Sequence, residues 1–342
     1  MHDMRRRAVV LAVVGLLVTA GTAAAAPSTR SQFAASEIRT VVDAGLMGPS
    51  VAAFRPSDPL TASELAVVVS SLGGAISVDD PDASVSVREF DARLVTLAGL
   101  RDSAQAIRLA AVDAGLTARP WLGTETVARM LGFRINHPRE DDELELEVTD
   151  PITRAEAAYS IAGYLALSDE QVESVRMQAG TFALPLLSVW QRVVLDRALR
   201  FVGSPYVWAG TSEKPQQLFG RTLPGGFDCS GFVWRVYKTK PFAGAPELSH
   251  VLVGRTTYAM SGEVGRAQRV TREALAPGDV VFFGSNGTRS RPSQVGHMGI
   301  YVGNDWIVHS SRNGTTLTPM TGWYETSFAW GRSPLVEAGL EY

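Results

Sequence analysis

The 342-residue sequence has one cysteine, Cys229, and three lysines, Lys214, Lys238 and Lys240. A single thiol excludes an intramolecular disulfide framework and every multi-cysteine zinc or iron–sulfur site. Basic charge of the kind that general nucleic-acid binding needs is also lacking, since 32 Arg and Lys face 35 Asp and Glu for a net charge of −3. Glycine (32) and proline (18) are too few for a collagen-like chain, and 45% hydrophobic residues exclude a mainly disordered one. The scarcity of lysine among the basic residues reads as genome composition rather than chemistry.

What is present begins with an address. Arg5, Arg6 and Arg7 precede an apolar run from Ala8 to Val18, and small residues follow up to Ala26. This is the basic, apolar and Ala-x-Ala pattern of a signal peptide, with cleavage expected after Ala25. The mature chain is then secreted, with no membrane attachment after cleavage; the resemblances below imply the bacterial cell wall or a periplasm-like space.

Length alone suits two domains, and charge divides them. Residues 26–184 carry 13 Arg and Lys against 23 Asp and Glu, a balance of −10, whereas residues 185–342 carry 16 against 11, a balance of +5. The expected layout is a signal peptide at 1–25, a helical repeat domain at 26–175 and a catalytic domain at 185–342.

The acidic half contains degenerate repeats of one local device. Thr61 with Glu64, Ser86 with Glu89 and Thr153 with Glu156 each set a hydroxyl three residues before a glutamate at the start of an amphipathic run. That spacing predicts capping boxes. Asp43-Ala44-Gly45-Leu46 and Asp113-Ala114-Gly115-Leu116 predict two helix ends closed by glycine. Glu143 to Val148 alternates with period two and predicts a half-buried strand with an acidic, solvated face. The half resembles S-layer homology repeats, and Thr153-Arg154-Ala155-Glu156 is the one copy matching their Thr-Arg-Ala-Glu signature in full. The resemblance implies docking to an anionic cell-wall polymer with help from Arg154. Copies one and two hold Ala62 and Val87 at the arginine position, and the −10 balance opposes an anionic partner.

The basic half carries the chemistry. A helical pattern from Leu186 to about Phe201 leads to Pro205-Tyr206-Val207-Trp208. Asp228 is a natural N-cap for a helix beginning at Cys229, with Phe232, Val233, Val236 and Tyr237 on its buried face. At such a start the helix dipole and free amides stabilise a thiolate, which predicts a thiol value lowered from ~8.5 toward ~3.5–7.5. Asp279 to Phe283 predicts a strand after a Pro277-Gly278 turn. His297 to Val302 and Trp306 to His309 predict a hairpin around Gly303-Asn304-Asp305. His297 and His309 then either lie near opposite ends of the pairing or face each other, and strand spacing of ~4.8 Å lets their side chains touch. Nucleophile Cys229, base His297 and orienter His309 make a complete set. Ser285 to Val295 reads as an inserted loop, most simply a hairpin end.

These pieces resemble the NlpC-type cell-wall peptidases, papain-like cysteine hydrolases, over about residues 185–340. The carrying motifs are Pro205-Tyr206-Val207-Trp208, Phe227-Asp228-Cys229-Ser230-Gly231-Phe232, Pro277-Gly278-Asp279-Val280-Val281-Phe282-Phe283, Gly296-His297-Met298-Gly299-Ile300-Tyr301 and Val308-His309. Ala209 departs from the family's second glycine after the tryptophan. The resemblance implies an α+β, papain-like catalytic domain with helices packed on an antiparallel sheet and the cysteine at a helix N-terminus. A mainly α-helical repeat domain precedes it.

By the same resemblance the chain is a peptidoglycan endopeptidase cutting stem peptides between the γ-carboxyl of D-glutamate and a diamino acid. It needs no metal or other cofactor and no nucleic-acid partner. Cys229 attacks, His297 moves the proton, His309 fixes the tautomer, and the Cys229 amide with the Tyr206 hydroxyl faces the oxyanion. Asp228 and Ser230 receive the stem's free amine, with Trp208 beside them in the substrate site. The competing readings are an inactive wall-binding scaffold, and a cysteine acyltransferase or amidase of the same fold.

Overall fold

In a computed structural model, residues 33–134 and 146–340 are described. The expected signal peptide at 1–25 and half of the expected 143–148 strand, residues 143–145, lie outside them. By backbone contacts the chain forms two compact units, one of residues 33–85 with 151–162, the other of 86–150 with 163–340. The expected boundaries follow chain order, whereas these units interleave along it.

The first unit contains α1 (Ala35–Asp43), α2 (Ala62–Ser71) and the first part of a helix that crosses into the second unit, Arg154–Ala166. Phe54, Leu60, Val68, Ile152, Ala157 and Ile161 are buried. Thr61 accepts the Glu64 amide at 3.3 Å while Glu64 accepts the Thr61 amide at 3.1 Å, so the first capping box is complete. Thr153 likewise accepts the Glu156 amide at 3.2 Å. Gly45 closes α1 with φ of +68°, a conformation that favours glycine.

Arg154 turns inward. It is 3% exposed, donates from Nε to the Phe54 carbonyl at 2.7 Å, pairs with Glu64 and lies 4.9 Å from the Phe54 ring centre. Its charge is satisfied inside its own unit, by Glu64 and the Phe54 carbonyl.

The second unit combines helices with a sheet. Its helices in the acidic half are α3 (Val87–Leu97), α4 (Arg101–Asp113), α5 (Leu122–Met130) and, after α6 (Arg154–Ala166), α7 (Asp169–Gly180). Ser86 and Glu89 form the second expected box, the carboxylate accepting the Ser86 amide at 2.9 Å. Gly115 closes α4 with φ of +80°. Residues 146–148 form an irregular segment and turn rather than a strand. The turn's carbonyls are occupied by α3, with Val87 and Arg88 donating to Asp150 and Val148.

α8 (Val189–Leu199) begins later than its apolar pattern, because Ser188 and Gln191 form a capping box there. Two short ribbons follow, β1 (Thr211–Ser212) with β4 (Gly226–Phe227) and β2 (Gln216–Leu218) with β3 (Arg221–Leu223). Then come α9 (Cys229–Tyr237), α10 (Leu248–Val251) and α11 (Thr257–Gly262). The main sheet has β5 (Val280–Gly284), β6 (Val295–Gly303), β7 (Trp306–Ser311), β8 (Gly314–Pro319) and β9 (Phe328–Arg332), in antiparallel order β8-β7-β6-β5-β9. Short helices α12 (Trp323–Ser327) and α13 (Pro334–Glu337) flank β9.

α9 packs on β6 and β7 through buried Phe232, Val233 and Val236, giving the expected α+β, papain-like architecture. The β6–β7 turn has Asn304 and Asp305 at φ of +46° and +58°, the conformation that keeps the strands' right-handed twist. The 285–294 connection is the end of the β5–β6 hairpin, tied by Ser285 donating to the Gln294 carbonyl at 3.1 Å.

The acidic-half helices reach this sheet through one buried charge cluster. Glu125 pairs with Arg129 at 2.7 Å and with Arg134 at 3.3 Å. Burial raises Asp91 well above the ordinary carboxylate range. Glu125, equally buried, is held below that range by Arg129 and Arg134. Arg129 also lies against Gly314 at the start of β8, where a Cβ would come within 2.3 Å of its Nη1. Glycine there is what lets the guanidinium close on the hairpin that carries His309.

Candidate active site

Cys229 is the first residue of α9. Its N-cap Asp228 accepts the Gly231 amide at 2.5 Å and the Ser230 hydroxyl at 3.0 Å. The thiol sulfur lies 3.4 Å from the Thr257 hydroxyl and receives backbone hydrogen bonds from Ser230 and Met298. Those groups favour a thiolate, but burial outweighs them and, with the Asp228 charge, pushes the thiol up. The shift therefore runs opposite to the lowering expected from the helix start, because the half-buried thiol sits against β6.

His297 follows the bulge between β5 and β6, one residue before the Met298 amide that holds the sulfur. Its Nε2 lies 3.0 Å from His309 Nδ1. Gly299 makes this possible. It stands against His309, and a Cβ on it would approach the His309 Cβ to 2.9 Å. The bare backbone lets the His309 ring lean across the strand to the residue two places away. The two alternatives left open by the sequence resolve to a diagonal pair on one face. Burial lowers His297 to about 4 and His309 well below its ordinary value, His297's charge adding to the latter.

Two residues missed by sequence reasoning end this chain. The Thr318 hydroxyl lies 3.0 Å and the Tyr324 hydroxyl 3.2 Å from His309 Nε2. Hydrogen-bond logic then orders the protons. For His297 to accept a proton at Nδ1, its own proton must sit on Nε2, donated to His309 Nδ1. His309 then carries its proton on Nε2 and donates to Thr318 or Tyr324. Burial pushes the Tyr324 phenol up to about 12, so it stays a hydroxyl. Phe283 and Trp323 complete the surround, their rings 5.8 Å and 6.0 Å from that of His297. Thr318 is two residues from Thr316, His309's partner across β7–β8. A polar residue on that face of β8 was the available signal. Tyr324 comes from α12, remote in register, and nothing local announced it.

Asp228 and Ser230 are together, but not empty-handed. Arg255 donates to the Ser230 hydroxyl at 2.8 Å and lies 3.5 Å from the Asp228 carboxylate, while also donating to the Ala209 carbonyl at 3.1 Å. The carboxylate expected to receive an amine thus already has a cation beside it. Tyr206 is bridged to Phe227, two residues before Cys229, and Trp208 is 47% exposed. A groove of about 270 Å³ opens beside His309, walled by Thr318, Trp323 and Tyr324 on one side and by Arg129 of α5 and Gln178 of α7 on the other. Among the described residues no cluster of three or more His, Cys, Asp or Glu could hold a metal, and no helix is long and apolar enough to cross a membrane.

This geometry can be set beside known proteins. Residues 203–332 match the NlpC/P60 family. Murein DD-endopeptidase MepH of Escherichia coli is 31% identical over 126 residues, covering 37% of this chain and 38% of that one. The probable peptidoglycan endopeptidase LytE of Bacillus subtilis is 32% identical, covering 38% of this chain and 30% of its own. A gamma-D-glutamyl-L-lysine dipeptidyl-peptidase of Bacillus cereus is 34% identical, covering 35% and 28%. The chain thus spans well under half the length of these relatives. Residues 203–332 are an NlpC/P60 domain, and its relatives include peptidoglycan endopeptidases.

Proposed function

We propose that the protein is a secreted cysteine endopeptidase of peptidoglycan stem peptides, with Cys229, His297 and His309 as its reacting and orienting groups. The observation that carries this reading is the hydrogen-bond chain from His297 through His309 to Thr318 and Tyr324, with a thiol at a helix start held by the amide of Met298, the residue after His297. Export through residues 1–25, wall attachment by the S-layer-homology-like half with Arg154, and a γ-D-glutamyl to diamino acid bond belong to the same reading. Two relatives, named for a DD- and a γ-D-glutamyl-L-lysine activity, support the substrate class and differ on the bond.

With the thiol raised and the imidazole lowered, the resting pair is neutral. The Cys229 proton moves to His297 Nδ1 as Sγ bonds the scissile carbonyl carbon, and the carbonyl oxygen takes the electron pair. The Cys229 amide and the Tyr206 hydroxyl are the donors assigned to that oxyanion. Collapse breaks the C–N bond, and His297 gives its proton to the leaving amine. Water then adds to the thioester, passing a proton to His297. The C–S bond breaks and the thiolate recovers that proton. Asp228, Ser230 and Trp208 bind the stem, and its free amine meets Asp228 only where Arg255 yields.

The test is release of stem fragments from purified wall material, identified by mass spectrometry. Cys229→Ala should lower it about a thousandfold or more, as loss of a nucleophile does. Release that continues at the wild-type rate assigns the hydrolysis elsewhere.

A further inference from the structure

A second concavity lies in the same unit and shares no residue with the groove beside His309. It has a volume of about 390 Å³. Arg119 and Trp121 line it from the α4–α5 connection, Arg200 from the end of α8, Glu213 from beside β1, and Arg235 and Lys240 from α9 and just beyond.

Donors dominate this surface. Glu213 is held by Arg235 through two hydrogen bonds of 2.8 Å and 2.6 Å. Among the described residues no carboxylate is within ion-pair distance of Arg119, Arg200 or Lys240. Two ring faces give partial compensation, Trp121 at 5.4 Å from Arg119 and Phe201 at 4.6 Å from Arg200. Neither ring supplies an acceptor. Trp121 Nε1 and Arg200 Nε are buried and find no hydrogen-bond partner among the described residues, a costly condition for N–H groups. Burial and the charges of Arg235 and Arg119 push the Arg200 guanidinium below its ordinary value, against the pull of Glu213. Glu147, the groove's other carboxyl, is raised by burial and by Asp150 and Glu213.

We propose that this groove binds an oxyanion of the phosphate or phosphodiester class. Guanidinium and ammonium donors of Arg119, Arg200, Arg235 and Lys240 line it from separate segments. A tetrahedral phosphate offers acceptors in that many directions, whereas a carboxylate offers two oxygens in one plane. The volume falls within the range of sites for whole small molecules, roughly 300–1,000 Å³, so the anion carries further groups. The sequence places its positive balance in the basic half, and this groove is where part of it has no internal partner.

The experiment is calorimetric titration of the full chain at low salt with three probes: inorganic phosphate, a glycerol phosphodiester and acetate. Phosphate and the diester should bind about tenfold or more tightly than acetate, a difference of ~1.4 kcal/mol or more. The double variant R119E/K240E should abolish the preference. Both residues are exposed, so the variant keeps its fold, checked by circular dichroism. Arg200→Met should weaken binding about tenfold as an independent removal of one donor. A diester bound more tightly than inorganic phosphate identifies a polymer-type source, and the reverse order a free phosphate. Equal affinity for acetate, or binding unchanged by charge reversal, overturns the site. The heats need no turnover, so a protein that binds the diester yet hydrolyses no stem keeps the groove and refutes the peptidase reading.

Discussion

His309 and Arg200 both line concavities of the same compact unit, and the two surroundings follow opposite electrostatic plans. Around His309 burial suppresses charge, and neutral groups hold one another in a chain with a definite direction for each proton. Around Arg200 positive charge accumulates and, among the described residues, buried donors go without acceptors. The first arrangement suits a proton that moves within the protein; the second suits a charge that arrives from outside. Arg154 shows the difference is one of partners and not of residue type. It too stacks on a phenylalanine, but Glu64 and the Phe54 carbonyl complete it.

The sharpest way to break the first plan is to remove its terminus. Thr318→Val with Tyr324→Phe leaves His309 Nε2 without an acceptor, and kcat for stem hydrolysis should fall about 10–100-fold, the cost of a lost hydrogen bond to a group that charges during the reaction. Each single variant should lose less, since the remaining hydroxyl takes the one proton. KM should hold. A double variant within threefold of wild type, with unchanged melting temperature, removes both residues from any positioning role.

The pH profile is the next test, and its sign follows from the two shifts. The base must be neutral, and His297 is held to about 4, so the acid limb of kcat/KM should lie near 4–5 rather than near the ordinary ~6.5. The thiol is raised, so alkylation of Cys229 by iodoacetamide should have its midpoint above the ordinary ~8.5. The same lowering affects stability. A folded state that resists histidine protonation loses stability as pH falls from about 6.5 toward the folded value, and gains none on the alkaline side. An alkylation midpoint below 7 would mean a resting ion pair and undo the neutral-pair picture.

Local devices were legible in the sequence because their physics is local. Thr61 with Glu64, the Gly45 and Gly115 helix ends, Asp228 before Cys229 and the Asn304-Asp305 turn each follow from residues within four positions. The family-bearing motifs also gave the fold of residues 203–332. The missed features depend on distant packing. Tyr324 reaches His309 from α12, Arg255 reaches Asp228 from between α10 and α11, and Arg129 reaches Gly314 from the acidic half. The thiol's direction was misjudged for the same reason, since the helix start is visible in sequence and the strand that buries it is not. Arg154 matched its signature and yet turned inward. Half of the 143–148 alternation lies outside the described residues, and in the other half α3 takes the carbonyl of Val148.

Salt separates the two plans with the smallest perturbation. The reacting groups are neutral at rest and packed against one another, so little of their energy passes through solvent. Screening acts on exposed charges, with a Debye length of about 10 Å at 0.1 M falling to about 3 Å at 1 M. Between these concentrations kcat on a short stem peptide should change less than about twofold, while phosphodiester affinity in the Arg200 groove should fall several-fold because Arg119 and Lys240 are exposed. Parallel declines in both would mean that the groove's charge also acts on the reaction, through α9, which carries Cys229 at one end and Arg235 at the other. Cys229→Ala distinguishes that case by leaving the salt dependence of diester binding in place.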